Sequence, residues 1–95
     1  MGSAEKLLRA MLADANPTSY TYDDAVRVLE NLGFHPARTK PKGSHRLWRL
    51  EVADGTRTRS IYVGLVDKGH GQLKSVYIRT MLEVLIENEL ANREE

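Results

Sequence analysis

The chain has 95 residues and a mass of 10.7 kDa; it is 41% hydrophobic and 28% charged, with 14 basic residues, 13 acidic residues and no cysteine. These figures fit one small domain with a thin core, and they exclude a wholly disordered chain, a disulfide framework and any thiolate nucleophile or thiolate metal site. No apolar run approaches the ~20 residues that cross a bilayer, and the first residues lack the basic segment and apolar stretch of a secretory signal, so the expectation is a soluble cytoplasmic protein.

Residues Ala4 to Ala15 read as a short helix, because Leu7, Leu8, Met11 and Leu12 recur at one-turn spacing. Asn16-Pro17-Thr18-Ser19 breaks it. A second helix starts at Thr21, where Asp24 three residues on completes a capping box and Asp23 and Asp24 suit the positive helix end. Ala25, Val28, Leu29 and Leu32 form its apolar stripe, Gly33 closes it in the left-handed conformation, and Phe34 folds back onto the stripe.

His35 to Lys40 reads as a short strand that Pro36 confines to an edge or a strand start. Pro41-Lys42-Gly43-Ser44 is a turn. His45 to Ala53 is the next strand, carrying Leu47, Trp48, Leu50 and Val52. Asp54-Gly55 is a strong hairpin signal, and Arg59 to Val66 returns with Ile61, Val63 and Leu65 on one face. A strict two-residue turn at Asp54-Gly55 sets Leu50 opposite Arg59 and Val52 opposite Arg57, so the expected connection is irregular, with a bulge or a longer loop. Asp67 to Gln72 is a glycine-rich loop. The last helix runs from Leu73 or Ser75 to about Ala91, with Ile78, Leu82, Leu85 and Ile86 inward. The result is an α+β domain, α-α-β-β-β-α, whose antiparallel sheet buries one face against helices.

Charge is unevenly spread. His35 to Tyr62 carries seven basic residues against Glu51 and Asp54, a local net of +5, whereas Thr80 to Glu95 has a net of −4. A basic middle attracts polyanions such as nucleic acid; on charge alone, a solvated strand surface explains it as well.

Histidine is the side chain whose ordinary charge change falls near neutral pH. His45 follows Gly43-Ser44 at the mouth of a strand inside the basic segment, where the glycine allows a phosphate backbone to come close. There Lys42, Arg46 and Arg49 are candidates to hold phosphate and to stabilise the dianionic transition state of phosphodiester cleavage, and an imidazole can take a proton from a 2′-hydroxyl or give one to the leaving oxygen. A surface or hydrogen-bonded histidine is the plainer alternative. His70, in Lys68-Gly69-His70-Gly71, is a second acid/base, a phosphate contact or a solvated loop residue; His35, before Pro36, reads as structural. No histidine pair has metal-ligand spacing, so no metal or cofactor is expected, and neither is a small-molecule ligand. Trp48 and Tyr62 can stack on RNA bases, although a strand tryptophan more often belongs to the core.

The run Asn31-Leu32-Gly33-Phe34, then Arg38, Lys42-Gly43-Ser44-His45 and Leu47-Trp48, resembles the HicA toxin family, the mRNA interferases of bacterial and archaeal toxin–antitoxin pairs. The likeness continues more loosely through His70-Gly71, Leu73-Lys74 and Ile78-Arg79-Thr80-Met81-Leu82, spanning Thr21 to Leu85. It implies a double-stranded-RNA-binding-like α-β-β-β-α fold at residues 21–95, preceded by a helical extension at residues 1–20. It implies metal-independent endoribonuclease activity on mRNA that depends on His45, and a HicB-type antitoxin that covers the site. RNA contacts are then expected from Lys42, Gly43, Ser44, Arg46, Arg49 and His70, with Lys74 and Arg79 as helpers. The chain departs from the family pattern in its added N-terminal helix, in Asp67-Lys68 where a proline is usual, in Val76-Tyr77 where Gly-Thr is usual, and in its long acidic last helix. The alternatives are a non-catalytic RNA-binding module on the same fold and a protein-interaction domain that docks Leu85, Ile86 and Leu90 on a partner.

Overall fold

The computed structural model describes residues 2–38, 43–67 and 72–92. Its elements are α1 (Ser3–Ala13), α2 (Tyr22–Asn31), β1 (His35–Pro36), β2 (His45–Asp54), β3 (Arg57–Val66) and α3 (Ser75–Glu87). The three strands form one antiparallel sheet in the order β1-β2-β3, and the architecture is α+β. Lys42 and His70, both expected at the site, lie outside the described residues.

The capping box at the start of α2 forms as its residues dictate. The Asp24 amide donates to Thr21 Oγ1 at 3.1 Å, and the Thr21 amide donates to Asp24 Oδ2 at 3.0 Å. Two amides at the helix start, those of Thr21 and Asp24, are thereby satisfied locally. Thr21 also bridges to Gln72, and the Leu73 amide donates to the Tyr20 carbonyl, so the same short segment ties the start of α2 to the start of α3. Thr21→Ala is expected to cost about 1 kcal/mol of stability in urea denaturation. A midpoint equal to that of the parent would mean the box contributes nothing.

Behind this cap, Ala25, Val28 and Leu29 are buried, and Phe34 returns onto them with its amide donating to the Leu29 carbonyl at 2.9 Å. Alternation along the strands divides the sheet into two faces. Trp48 and, opposite it, Val63 point to the helical side with Ile61 and Leu65, where they meet Ile78, Met81, Leu82 and Leu85 of α3. Met11 of α1 is fully buried in the same cluster, and α1 packs on α2 and touches α3. The indole N–H of Trp48 is buried and has no hydrogen-bond partner among the described residues. The apolar side of α3 that was a candidate docking surface is largely used within the chain. Leu85 is fully buried, and Ile86 and Leu90 pack partly against the core.

The hairpin corrects the expected irregular connection. Asp54 pairs with Arg57, so the loop is a tight two-residue turn, Gly55-Thr56, with no bulge in the register. The positive φ of +67° falls on Gly55, the first central residue, and Thr56 does not share it. This is the pattern of a type II′ turn, which only glycine adopts readily at that position. Moving the turn one residue along slides the partners by two. Leu50 then faces Ile61 instead of Arg59, and the apolar face is continuous without any extra residue. Each strand also runs slightly further into the turn than expected. At the other edge, β1 is shorter than expected: Ala37 and Arg38 are not strand, although the Ala37 amide still donates to the Leu47 carbonyl.

The helix ends move inward too. α1 stops at Ala13 and α3 at Glu87, before the expected Ala15 and Ala91. Glu89 takes a left-handed φ of 61°, and the amides of Leu90 and Ala91 donate back to the Leu85 carbonyl. The chain thereby turns so that Ala91 is buried against the core instead of continuing the helix.

Candidate nucleic-acid interface

The site follows from strand parity. On β2, Arg46, Trp48, Leu50 and Val52 fall on the inward side, so His45, Leu47, Arg49 and Glu51 point to the open face. The corresponding residues of β3 are Ser60, Tyr62, Gly64 and Val66, and β1 contributes His35, in register with Arg49. Side-chain rows therefore cross this face: His45 with Val66, which is buried, Leu47 with Gly64, and His35 with Arg49 and Tyr62. Successive rows are about 7 Å apart.

His45 is the first residue of β2 and is exposed. The described residues give its ring no hydrogen-bond partner. The turn before it requires glycine at the backbone: Gly43 has φ +60°, which an L side chain rarely adopts, and no atom of the described residues lies within 4 Å of a Cβ placed there. The Asp67 amide donates to the Ser44 carbonyl at 2.7 Å, pinning the turn to the end of β3. Arg46 folds back to donate from Nη1 to the Gly43 carbonyl at 2.7 Å and to the His45 carbonyl at 3.0 Å. The guanidinium thus clamps the turn that presents His45 and retains further N–H donors for an anion.

Arg49 shares the open face with His45, but two residue pairs further along the strand, about 13 Å away at the backbone. Its Nε donates to Ser60 Oγ at 3.1 Å and it pairs with Glu51. Both side chains of that pair are substantially exposed, so the ion pair is worth little and a phosphate competes with it readily. His35, expected as structural, is exposed on the same row, its Nδ1 3.3 Å from the Pro36 carbonyl oxygen.

The remaining candidates lie elsewhere. Lys74 is the N-cap of α3 and is exposed. Arg79 donates from Nη2 to Asn16 Oδ1 at 2.9 Å, against the segment joining α1 and α2. That places Arg79 in the helical layer while His45 faces the opposite side of the sheet. A cleft of about 300 Å³, lined in part by Leu8, Leu12 and Leu90, is likewise on the helical side. Trp48 is buried and cannot stack on a base, whereas Tyr62 is 49% exposed. Among the described residues, no group of three or more His, Asp or Glu comes together as metal donors, and no helix is long and apolar enough to cross a membrane.

Three features of this face escape a reading by segments. Leu47, grouped with Trp48 in the strand, is 39% exposed on the opposite side from it. Gly64 carries no expectation from the sequence, and His35 reads there as structural. The signal for all three is parity: once Trp48 is assigned inward, every second residue from it in β2 is inward, and the alternate ones face out.

No protein-family model matches the chain, and no curated protein or solved structure matches it.

Proposed function

We propose that this protein is a metal-independent endoribonuclease that cleaves mRNA in the cytoplasm, the toxin of a HicA-type toxin–antitoxin pair. The observation that carries this reading is the exposed imidazole of His45, without a hydrogen-bond partner among the described residues and held at a strand mouth by the Gly43-Ser44 turn that Arg46 clamps. A core histidine satisfied by its neighbours would have neither property.

In the proposed reaction His45 accepts the proton of a 2′-hydroxyl, and the 2′ oxygen attacks the adjacent phosphorus. The P–O5′ bond breaks, leaving a 2′,3′-cyclic phosphate and, once protonated, a 5′-hydroxyl. Arg46 and Arg49, with Lys42, supply positive charge to phosphate oxygens on which negative charge grows. No electron transfer or bound metal is needed. Gly43 and Ser44 let the RNA backbone approach, and Lys74 is an exposed cation for more distant phosphates. A HicB-type antitoxin would neutralise the protein by covering His45.

Induced expression of the wild type beside His45→Ala tests this, with growth, transcript integrity and the fold of each protein as readouts. The wild type is expected to arrest growth and degrade mRNA, and the variant to be folded and harmless. If both are harmless, the catalytic reading fails and a non-catalytic RNA-binding module takes its place. If both are equally toxic, His45 is not the catalyst.

A further inference from the structure

Gly64 sits within β3, opposite Leu47, one row in from His45 on the open face. Glycine there weakens a strand, because it has the most backbone freedom to lose and no side chain to pack. Two reasons internal to a protein can justify it, and neither applies. The backbone at Gly64 is not left-handed, so any residue could adopt it, and no atom of the described residues lies within 4 Å of a Cβ built there. Another use of a strand glycine is close approach of a group from outside the chain to the backbone.

The surroundings define that group. Along β3 the bare position lies between Tyr62 and Val66, whose α-carbons are about 13 Å apart. Across the register it is bounded by Leu47, 39% exposed, and on one side by Tyr62, 49% exposed. These make a shallow apolar floor with an aromatic wall, wide enough for a flat ring. Around it stand Arg49, His35 and His45, and the only acidic side chain among the described residues of this face, Glu51, is paired to Arg49. A ligand that combines flat apolar rings with regularly spaced negative charge meets both demands. That is a single-stranded polynucleotide, whose unstacked bases lie on aromatic and apolar side chains while its phosphates meet cations. A duplex cannot use the face, since its bases are already stacked on one another.

We propose that Tyr62, Gly64 and Leu47 form a base-stacking platform that holds single-stranded RNA extended across the open sheet face. One base rests on Gly64 against Leu47, its neighbour stacks on Tyr62, and Arg49 and His35 meet the intervening phosphate. That the polynucleotide is RNA rests on the ribonuclease reading above. The row of His45 and Val66 is one step from that of Leu47 and Gly64, so the base on Gly64 belongs to a nucleotide beside the scissile phosphate. The platform therefore selects unpaired RNA and contributes to the base preference next to the cut.

The test uses the full chain carrying His45→Ala, which leaves the RNA intact. Binding of a short fluorescently labelled oligoribonucleotide of mixed sequence is followed by anisotropy, single-stranded and annealed to its complement. Single-stranded RNA is expected to bind at least tenfold more tightly than the duplex. Adding Tyr62→Ala is expected to weaken binding by roughly 5- to 100-fold, the worth of stacking for one base, while Tyr62→Phe keeps most of it. Gly64→Val fills the floor with a good strand former, so it preserves the fold and is expected to weaken binding by roughly tenfold or more. Binding that ignores Tyr62→Ala and Gly64→Val, or that favours the duplex, overturns the platform, as does a failure to bind RNA at all, which would leave the face to a protein partner. The two readings fail separately. Cleavage by the wild type without sensitivity of binding to Tyr62 and Gly64 sinks the platform alone. Sensitive binding with no cleavage sinks the ribonuclease alone.

Discussion

Removing residues 1–14 is expected to leave a chain that no longer unfolds as one cooperative unit. α1 is built into the core: Met11 is fully buried, and Leu7, Leu8 and Leu12 pack against the same cluster. Their loss would expose apolar surface of α2 on which α1 packs. The single change Met11→Ala isolates the effect. Truncating a buried methionine to alanine costs about 2–5 kcal/mol, because both the transfer energy and the contacts around the new cavity are lost. A domain of this size has a total of only about 5–15 kcal/mol, so one substitution removes a large share and deletion of the helix removes more. Urea denaturation followed by circular dichroism measures both. Arg9→Ala, exposed on the same helix, is the control and is expected to change stability by less than about 0.5 kcal/mol. A truncated chain with the midpoint of the full chain would show that residues 1–20 are an extension, as the family resemblance implies, and not part of the core.

The second large effect is on catalysis. If His45 moves the proton in the proposed reaction, His45→Ala should lower the cleavage rate of a single-stranded oligoribonucleotide by about 10²- to 10⁴-fold, the usual worth of a positioned acid or base. Chelation of divalent ions should leave the wild-type rate unchanged. Arg46→Ala should lower the rate less, through loss of the clamp on the Gly43 and His45 carbonyls. Arg79→Ala should leave it near that of the wild type, since its guanidinium is occupied at Asn16 in the helical layer. A rate that falls on chelation, or that survives His45→Ala, would reject the mechanism. Equal losses at Arg46 and Arg79 would mean that the helical side, not the sheet, meets the RNA.

What could be read in the chain alone was local. The capping box at Thr21 and Asp24, the left-handed Gly33 and the apolar stripe of Ala25, Val28 and Leu29 are set by contacts within one turn of helix, so residue types and spacing suffice. The hairpin was legible for a similar reason, and only its phase was not. Asp54-Gly55 announces a two-residue turn, but glycine serves the second central position of one turn type and the first of another, and the core decides between them. Here the choice that places Leu50 against Ile61 prevails.

The candidate site was legible in part. His45 and its cations stand out because they cluster in sequence. His35, Arg49 and Tyr62 do not cluster, and only pairing of β1 with β2 and of β2 with β3 brings them into one row. Alternation within β2 separates Leu47 from Trp48, and the packing of α3 against the α1–α2 segment separates Arg79 from His45. Sequence by itself determined the helix boundaries to within a few residues, the α+β order and the prominence of His45, all products of short-range spacing. The tertiary structure decided which sheet face is open, that α1 belongs to the core, and that a bare glycine lies beside an exposed tyrosine. Those outcomes depend on contacts between segments far apart in the chain, where burial of a shared apolar face, not local preference, sets the register.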